Sequence, residues 1–322
     1  MILPDIGINH EGSVEKAYQM IWDARRAGCE FVKFQCHIPD AEMIPNNIIP
    51  SNANESIWDM MKRCSLKEED EVTLKYFVEE RYGMTYLSTP FSREAVDRLE
   101  RMNVSMYKIG SGELNNYPLV RYIVDTGKPI ILSTGMNDFK AIDEAVEIIG
   151  DQLHTILHCV SMYPTPYEKV NLNRMLELGE RYGKPFGLSD HTPTIYTSLA
   201  AIALGASVVE KHFTSDKAWA GADIAVSIST EQLQELVAAE DAIARAFINS
   251  APDDRRVADF AYASIVSIKD IKAGERFTKD NIWVKRPGGG IPAEYYESLL
   301  GLCAKIDIDK NTQIRKDEIW KT

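Results

Sequence analysis

The chain has 322 residues, 45% of them hydrophobic, a size that suits one large core with a small appendage. Its formal net charge of -12 argues against a nucleic-acid partner, although a few local cations would still hold a small anion. No run of about 20 apolar residues offers a membrane span, and the opening residues already read as a strand, so a cytoplasmic protein without an export signal is expected. Five cysteines, Cys29, Cys36, Cys64, Cys159 and Cys303, form no CxxC pair and read as free thiols. Cys159 is expected to be a small packing residue.

Short apolar runs recur along the chain with helical patterns between them. In order they are Ile2 to Asn9, Glu30 to Gln35, Met84 to Thr89, Ser105 to Gly110, Pro129 to Thr134, Thr155 to Val160, Pro185 to Asp190 and Ser207 to Phe213, eight in all. Between them apolar residues fall three and four apart, as at Ala17, Met20, Ile21 and Ala24, and again at Ile142, Ala145, Val146 and Ile149. Ser13 and Ser92 read as helix N-caps, and Gly28, Gly127 and Gly205 as helix ends. Alternating strands and helices predict a parallel sheet. No GxGxxG follows the first strand, and polar residues crowd nearly every strand's C-terminal end. The α/β class is therefore expected to take the form of a (β/α)8 TIM barrel rather than a doubly wound sheet.

Those ends carry Asp5, Asn9 and His10, then Lys33 and Gln35, Ser88 and Thr89, and Lys108, Ser111 and Glu113. They continue with Ser133 and Thr134, His158 and Ser161, Ser189 to His191, and Glu210 to His212. A buried strand has no reason to end in polar groups unless they line something, and in a barrel such ends converge on one mouth. The stretch His37 to Ser65 is too long for an ordinary connection and is expected to cover that mouth. The run Asn249 to Arg255 reads as a linker. The expected division is a barrel over 1–247, a linker over 248–259 and a small β-rich domain over 260–322. That tail is small for an independent core, and is expected to lean on the barrel or on a second subunit.

His191 and His212 close neighbouring strands, so their imidazoles are candidates for one divalent metal, with positions left open for water and substrate. Either histidine alone would read as a hydrogen-bonded core residue. Lys33 and Lys108 stand in an otherwise acidic chain near Ser111, Ser133 and Ser189, donors that suit a small phosphate and carboxylate ligand. A desolvated lysine forming a Schiff base is the alternative chemistry. Glu113 and Asp223 are loop carboxylates suited to holding hydroxyls or moving protons. Tyr163-Pro164-Thr165-Pro166 is a stiff loop that would present an aromatic ring.

Taken in order, Asp5-Ile6-Gly7-Ile8-Asn9-His10, Phe34-Gln35, Leu87-Ser88-Thr89-Pro90-Phe91, Tyr107-Lys108-Ile109-Gly110-Ser111-Gly112-Glu113 and Ser133-Thr134-Gly135-Met136 resemble the sialic acid synthase family. So do Leu157-His158-Cys159, Tyr163-Pro164-Thr165-Pro166, Ser189-Asp190-His191-Thr192, Glu210-Lys211-His212-Phe213-Thr214 and Lys285-Arg286-Pro287-Gly288. The resemblance implies a barrel followed by an antifreeze-like (SAF) domain. It also implies condensation of phosphoenolpyruvate with an N-acetylated amino sugar, N-acetylmannosamine, to give N-acetylneuraminate and phosphate. The cofactor it implies is a divalent ion on His191 and His212, Mn2+ ahead of Mg2+ or Co2+. Lys108, Ser111, Ser133 and Ser189, with Lys33 nearby and Ser161 as a further donor, would hold phosphoenolpyruvate. Gln35, Glu113, Tyr163 and Asp223 would face the sugar, and Glu113, Asp5 and Asp223 are the candidate catalytic carboxylates. A domain-swapped homodimer would bring Arg286, with Phe260 beside it, to the partner's sugar. The chain departs from the family at Asp5, where Glu is usual, and at Ser161, where Asn is usual. The alternatives are the same chemistry on a bacillosamine derivative giving legionaminate or on another coat-polysaccharide precursor, a Schiff-base aldolase, and an inactive sugar-binding homologue.

Overall fold

A computed structural model describes residues 1–250 and 254–320. Its first unit, Met1–Ile248, is a closed barrel of eight parallel strands in chain order. The strands are β1 (Ile2–Gly7), β2 (Phe31–Cys36), β3 (Thr85–Pro90), β4 (Tyr107–Ile109), β5 (Ile130–Ser133), β6 (Leu153–Cys159), β7 (Phe186–Asp190) and β8 (Val208–His212). β1 and β8 close the ring in a register that sets Leu3 against Glu210 and Asp5 against His212. Ser13 and Ser92 cap their helices as expected, accepting from the backbone N–H of Lys16 and Ala95. No helix among the described residues is long and apolar enough to cross a membrane.

Side chains alternate across each strand, and the barrel uses that period of two to stack unlike layers. Leu3, Leu87, Ile131, Leu157 and Val208 form one apolar cluster, with Met1, Phe31 and Met106 packed against it. Two residues further along the same strands stand Asp5, Lys33, Lys108, Ser133 and Glu210, all buried. The other face of the strands is apolar and joins the large core shared with the helices, through Ile6, Val32, Phe34, Tyr86, Tyr107, Leu132, Ile156 and Val209. The stretch His37 to Ser65 carries the helices Pro39–Glu42 and Ile57–Cys64, and packs Met60, Met61 and Cys64 with Ile8.

The second unit runs from Asn249 to Thr322. Of the run read as a linker, residues 251–253 lie outside the described residues, while Arg255–Ala261 is a helix rather than an irregular connection. That segment holds neither Gly nor Pro, the two residues that oppose a helix most strongly. β9 (Ser264–Ser267) pairs antiparallel with β10 (Ile282–Lys285), and β11 (Cys303–Ala304) with β12 (Ile319–Trp320). Small as it is, the unit has an apolar cluster of its own around Ile265, Ile271, Phe277, Ile282, Ile308 and Ile314.

β7 approaches β8 so closely at Gly187 that a Cβ there would lie 1.9 Å from the Val208 carbonyl oxygen, whereas a Cβ at Gly112 would meet nothing within 4 Å. Backbone cannot step aside as a flexible side chain can. Gly187→Ala is therefore expected to destabilise the barrel by more than about 3 kcal/mol, and Gly112→Ala by less than about 1 kcal/mol. Urea unfolding of the two variants checks this, and equal stabilities would contradict it.

Candidate active site

The C-terminal ends of the strands enclose a cavity of about 300 Å3. At its floor lie four buried charges. Lys33 Nζ is 2.8 Å from Asp5 Oδ2 and 3.6 Å from Glu210 Oε1, and Lys108 Nζ is 3.1 Å from Glu210 Oε2 and 2.7 Å from the Ser133 hydroxyl. Burial would raise the Asp5 carboxyl, but Lys33 and His212 outweigh it and hold it below its ordinary value. Burial acts on Glu210 in the same sense and is outweighed by Lys108 and Lys33. For Lys33 burial works against the charge, and Asp5 with Glu210 reverses it, so the ammonium is held above its ordinary value. Asp5, one methylene shorter than the family's usual Glu, still reaches Lys33, and its Oδ1 accepts from the Gly7 N–H at 2.9 Å.

Hydroxyls form the next part of the wall. Ser111 Oγ accepts from the Gly135 N–H at 2.9 Å, and a Cβ at position 135 would lie 2.5 Å from Ser161 Oγ and 2.8 Å from Ser111 Oγ. Glycine there keeps open the space into which both hydroxyls point. Ser189, at the end of β7, lines the same cavity.

His191 and His212 stand on neighbouring strands with ring centroids 5.5 Å apart. His191 Nδ1 lies 2.9 Å from the Val160 carbonyl oxygen, which fixes the proton on that nitrogen and turns Nε2 to the Tyr163 hydroxyl at 3.1 Å. Tyr163 also stacks on His191, with centroids 4.2 Å apart. His212 Nδ1 is buried without a hydrogen-bond partner, 3.6 Å from Asp5 Oδ2. Burial holds His212 below its ordinary value despite Asp5 and Asp223, which favours the neutral ring that ligates metals. Burial opposes the charge on His191 too, but Cys159 beside it raises that ring to about 9. The reciprocal effect brings the Cys159 thiol, which burial alone would raise, down to about 7 through His191. Behind the strands Lys211 donates to the carbonyls of Asp190 and Thr192, on either side of His191, and so holds the end of β7. Among the described residues no group of three or more His, Cys, Asp or Glu side chains is arranged to hold a metal. His212, neutral and with a bare buried nitrogen, fits a catalytic ion as it stands, and His191 would fit it once the ion displaced the ring's second proton, leaving the remaining positions to water and substrate.

Of the residues singled out in the sequence, the cavity brings together Asp5, Lys33, Gln35, Lys108, Ser111 and Ser133. It also takes in Ser161, Tyr163, Ser189, His191 and His212. Glu113 and Asp223 do not line it. Glu113 is half-buried and accepts from the Asn116 side chain at 3.3 Å, while Asp223 is buried near His212, within 3.4 Å of where a Gly7 Cβ would be. Phe260 and Arg286 belong to the second unit, where both are exposed. Two further residues of the wall, Cys159 and Glu210, had no assigned part in the chemistry. Cys159 lines the wall beside His191 rather than packing inertly. Glu210 holds both lysines, and the signal for it was its place two residues before His212, which puts both side chains on one face of β8. Glu210→Gln strips the negative partner from Lys108 and is expected to cost about 3–5 kcal/mol of stability. Inorganic phosphate should stabilise this variant more than the parent, because it supplies the missing charge. Thermal unfolding with and without phosphate checks both statements, and a variant as stable as the parent would contradict them.

The NeuB family model matches residues 20–250 and the SAF domain model residues 262–319. A protein of Methanocaldococcus jannaschii, MJ1065, is 37% identical over 99% of this chain and 94% of its own. The N,N'-diacetyllegionaminic acid synthase of Campylobacter jejuni is 35% identical over 98% of this chain and 99% of its own. The crystal structure of the N-acetylneuraminic acid synthetase of Leptospira borgpetersenii, in complex with citrate, superposes with a TM-score of 0.72 at 27% identity, covering 80% of this chain and 89% of the other. A barrel matched along most of its length, followed by a matched SAF domain, makes this chain a member of the NeuB family of sugar-acid synthases.

Proposed function

We propose that the chain condenses phosphoenolpyruvate with N-acetylmannosamine and water to give N-acetylneuraminate and phosphate. The observation that carries this reading is the cavity floor, where two buried, ion-paired lysines lie beneath converging serine hydroxyls and beside two facing imidazoles. Asp5 and Glu210 keep Lys33 charged, which favours anion binding over the neutral amine that a Schiff base requires. A divalent ion on His191 and His212, Mn2+ by resemblance with Mg2+ or Co2+ as substitutes, would add the positive charge that a trianionic substrate needs beyond a floor whose four charges cancel, and Lewis acidity at the sugar's aldehyde oxygen.

Lys33, Lys108 and the hydroxyls of Ser111, Ser133, Ser161 and Ser189 would fix the phosphate and carboxylate, leaving C3 of phosphoenolpyruvate facing the aldehyde carbon of the open-chain sugar. A bond forms between those carbons and the aldehyde oxygen takes up a proton. Water adds to the cationic C2 and loses one proton, and the resulting C2 hydroxyl gives up its remaining proton as the C2–O bond to phosphate breaks, leaving the 2-keto acid and phosphate. Burial raises the Glu113 carboxyl against its Asn116 hydrogen bond, which suits it to passing a proton, with Asp5 and Asp223 as the other candidates. Gln35 and Tyr163 would face the sugar. Arg286 and Phe260 would complete the site of a second copy in a domain-swapped dimer. A second reading, the same reaction on a diacetylated bacillosamine derivative to give a legionaminate, is favoured by the whole-length likeness to a legionaminic acid synthase.

Phosphate release from phosphoenolpyruvate with Mn2+ and each sugar in turn separates the two readings. Turnover should require a sugar, and the faster sugar names the product. Release indifferent to every sugar, or a lysine trapped by borohydride, would contradict the proposal. Chelation should abolish turnover and Mn2+ restore it, and a verified metal-free chain working at full rate would remove the metal. Arg286→Ala and His191→Ala subunits, each inactive alone, should regain part of the activity when mixed. Failure to complement despite proven subunit exchange would return Arg286 to a role within its own chain.

A further inference from the structure

A second cluster of titratable groups stands beside the cavity and has no part in the steps above. His37 directly follows β2. Its Nδ1 lies 3.0 and 3.1 Å from the two carboxylate oxygens of Glu42, and its Nε2 lies 3.1 Å from Oε1 of Gln35. The ring is stacked on Phe91, with centroids 4.2 Å apart and planes inclined by 16°. The pair is buried, with side-chain exposures of 7% for His37 and 3% for Glu42. Both ring nitrogens thus face acceptors, an arrangement satisfied when both carry hydrogens and Glu42 supplies the balancing charge.

The two ends of a glutamine amide are nearly equal in size and opposite in hydrogen-bonding character, so a half-turn of the group exchanges a donor for an acceptor. Gln35 lines the cavity. With Oε1 engaged by His37, the NH2 is the end left for a ligand. We infer that His37, locked by Glu42 and Phe91, is a positioning residue that orients the Gln35 amide and makes it a hydrogen-bond donor toward an acceptor oxygen of the amino sugar, a hydroxyl or an acetyl carbonyl. The inference rests on the reading that Gln35 faces the sugar. Nothing in it requires His37 to touch the substrate.

The test is a double-mutant cycle on the full chain with Mn2+, using whichever of N-acetylmannosamine and the diacetylated bacillosamine derivative releases phosphate faster. Gln35→Ala should raise the sugar KM about tenfold, the scale of one lost hydrogen bond, and leave the phosphoenolpyruvate KM unchanged. His37→Phe keeps a ring against Phe91 and removes both N–H groups. It should raise the sugar KM by a similar factor, and the double variant should be no worse than Gln35→Ala alone. Where His37→Phe does not fold, Glu42→Gln preserves the shape of the pair and removes the charge that holds the Nε2 hydrogen. Gln35 should then turn its carbonyl to the cavity, with the same rise in sugar KM. A normal sugar KM for the His37 and Glu42 variants beside a raised one for Gln35→Ala overturns the positioning role and leaves the sugar reading standing. Additive effects in the double variant overturn it too. No effect of Gln35→Ala on the sugar KM removes Gln35 from the sugar site, and the inference with it.

Discussion

Two lysines and two carboxylates share one layer inside the barrel, all but shut off from water. Ions so placed are tolerated only when each finds an opposite charge, since the cost of stripping water from them is several kcal/mol apiece. Here the partners come from β1, β2, β4 and β8, so no short segment of the chain can satisfy them alone. The ring must close, with β1 against β8 in the observed register, before Glu210 stands within reach of both ammonium groups. The apolar layer beneath, from Leu3 to Val208, supplies the burial that makes the requirement strict. In the proposed reaction the same constraint would serve the site, because ammonium groups held charged and fixed in place by their carboxylates can donate to an anion without having to be reoriented, although the floor as a whole carries no net charge.

Above that floor the strands divide their labour by face. On β8, Glu210 and His212 point to the cavity while Lys211 between them points outward and fastens the end of β7. On β7, Ser189 and His191 line the cavity while Asp190 is bound to Lys211, Thr192, Thr197 and Ser198. Each imidazole is thus set by a strand whose other face is tied down. Such orientation by a rigid outer layer is what the metal of the proposed function would need of these two imidazoles to keep its open positions from collapsing.

The barrel was legible in the sequence because its signals repeat eight times: an apolar run, a polar end, a helical period. The polar ends gave most of the cavity wall. Residues that depend on register were harder. Glu210 was visible as one of three consecutive polar residues, and only the alternation of β8 tells which of them face inward. Glu113 and Asp223 lie in loops, where spacing carries no direction, and both stand off the wall. Cys159 looked like packing because a small thiol in an apolar strand is packing in most folds, and only the nearness of His191 gives it another character. The His37–Glu42 pair was hidden in a stretch read as a loop, since it forms only when the four-residue helix Pro39–Glu42 folds back on β2. In the second unit, the isoleucines from Ile265 to Ile314 are too scattered along the chain for any local pattern to announce a common core.

In the proposed reaction charged lysines hold phosphoenolpyruvate intact while water attacks its C2, so the phosphate leaves by carbon–oxygen cleavage. Turnover in 18O-labelled water tests this directly, by mass analysis of the phosphate released. The phosphate released should be free of the label. Phosphate carrying 18O would mean that water attacks phosphorus and frees pyruvate first, the order expected of a Schiff-base aldolase, and would contradict the account.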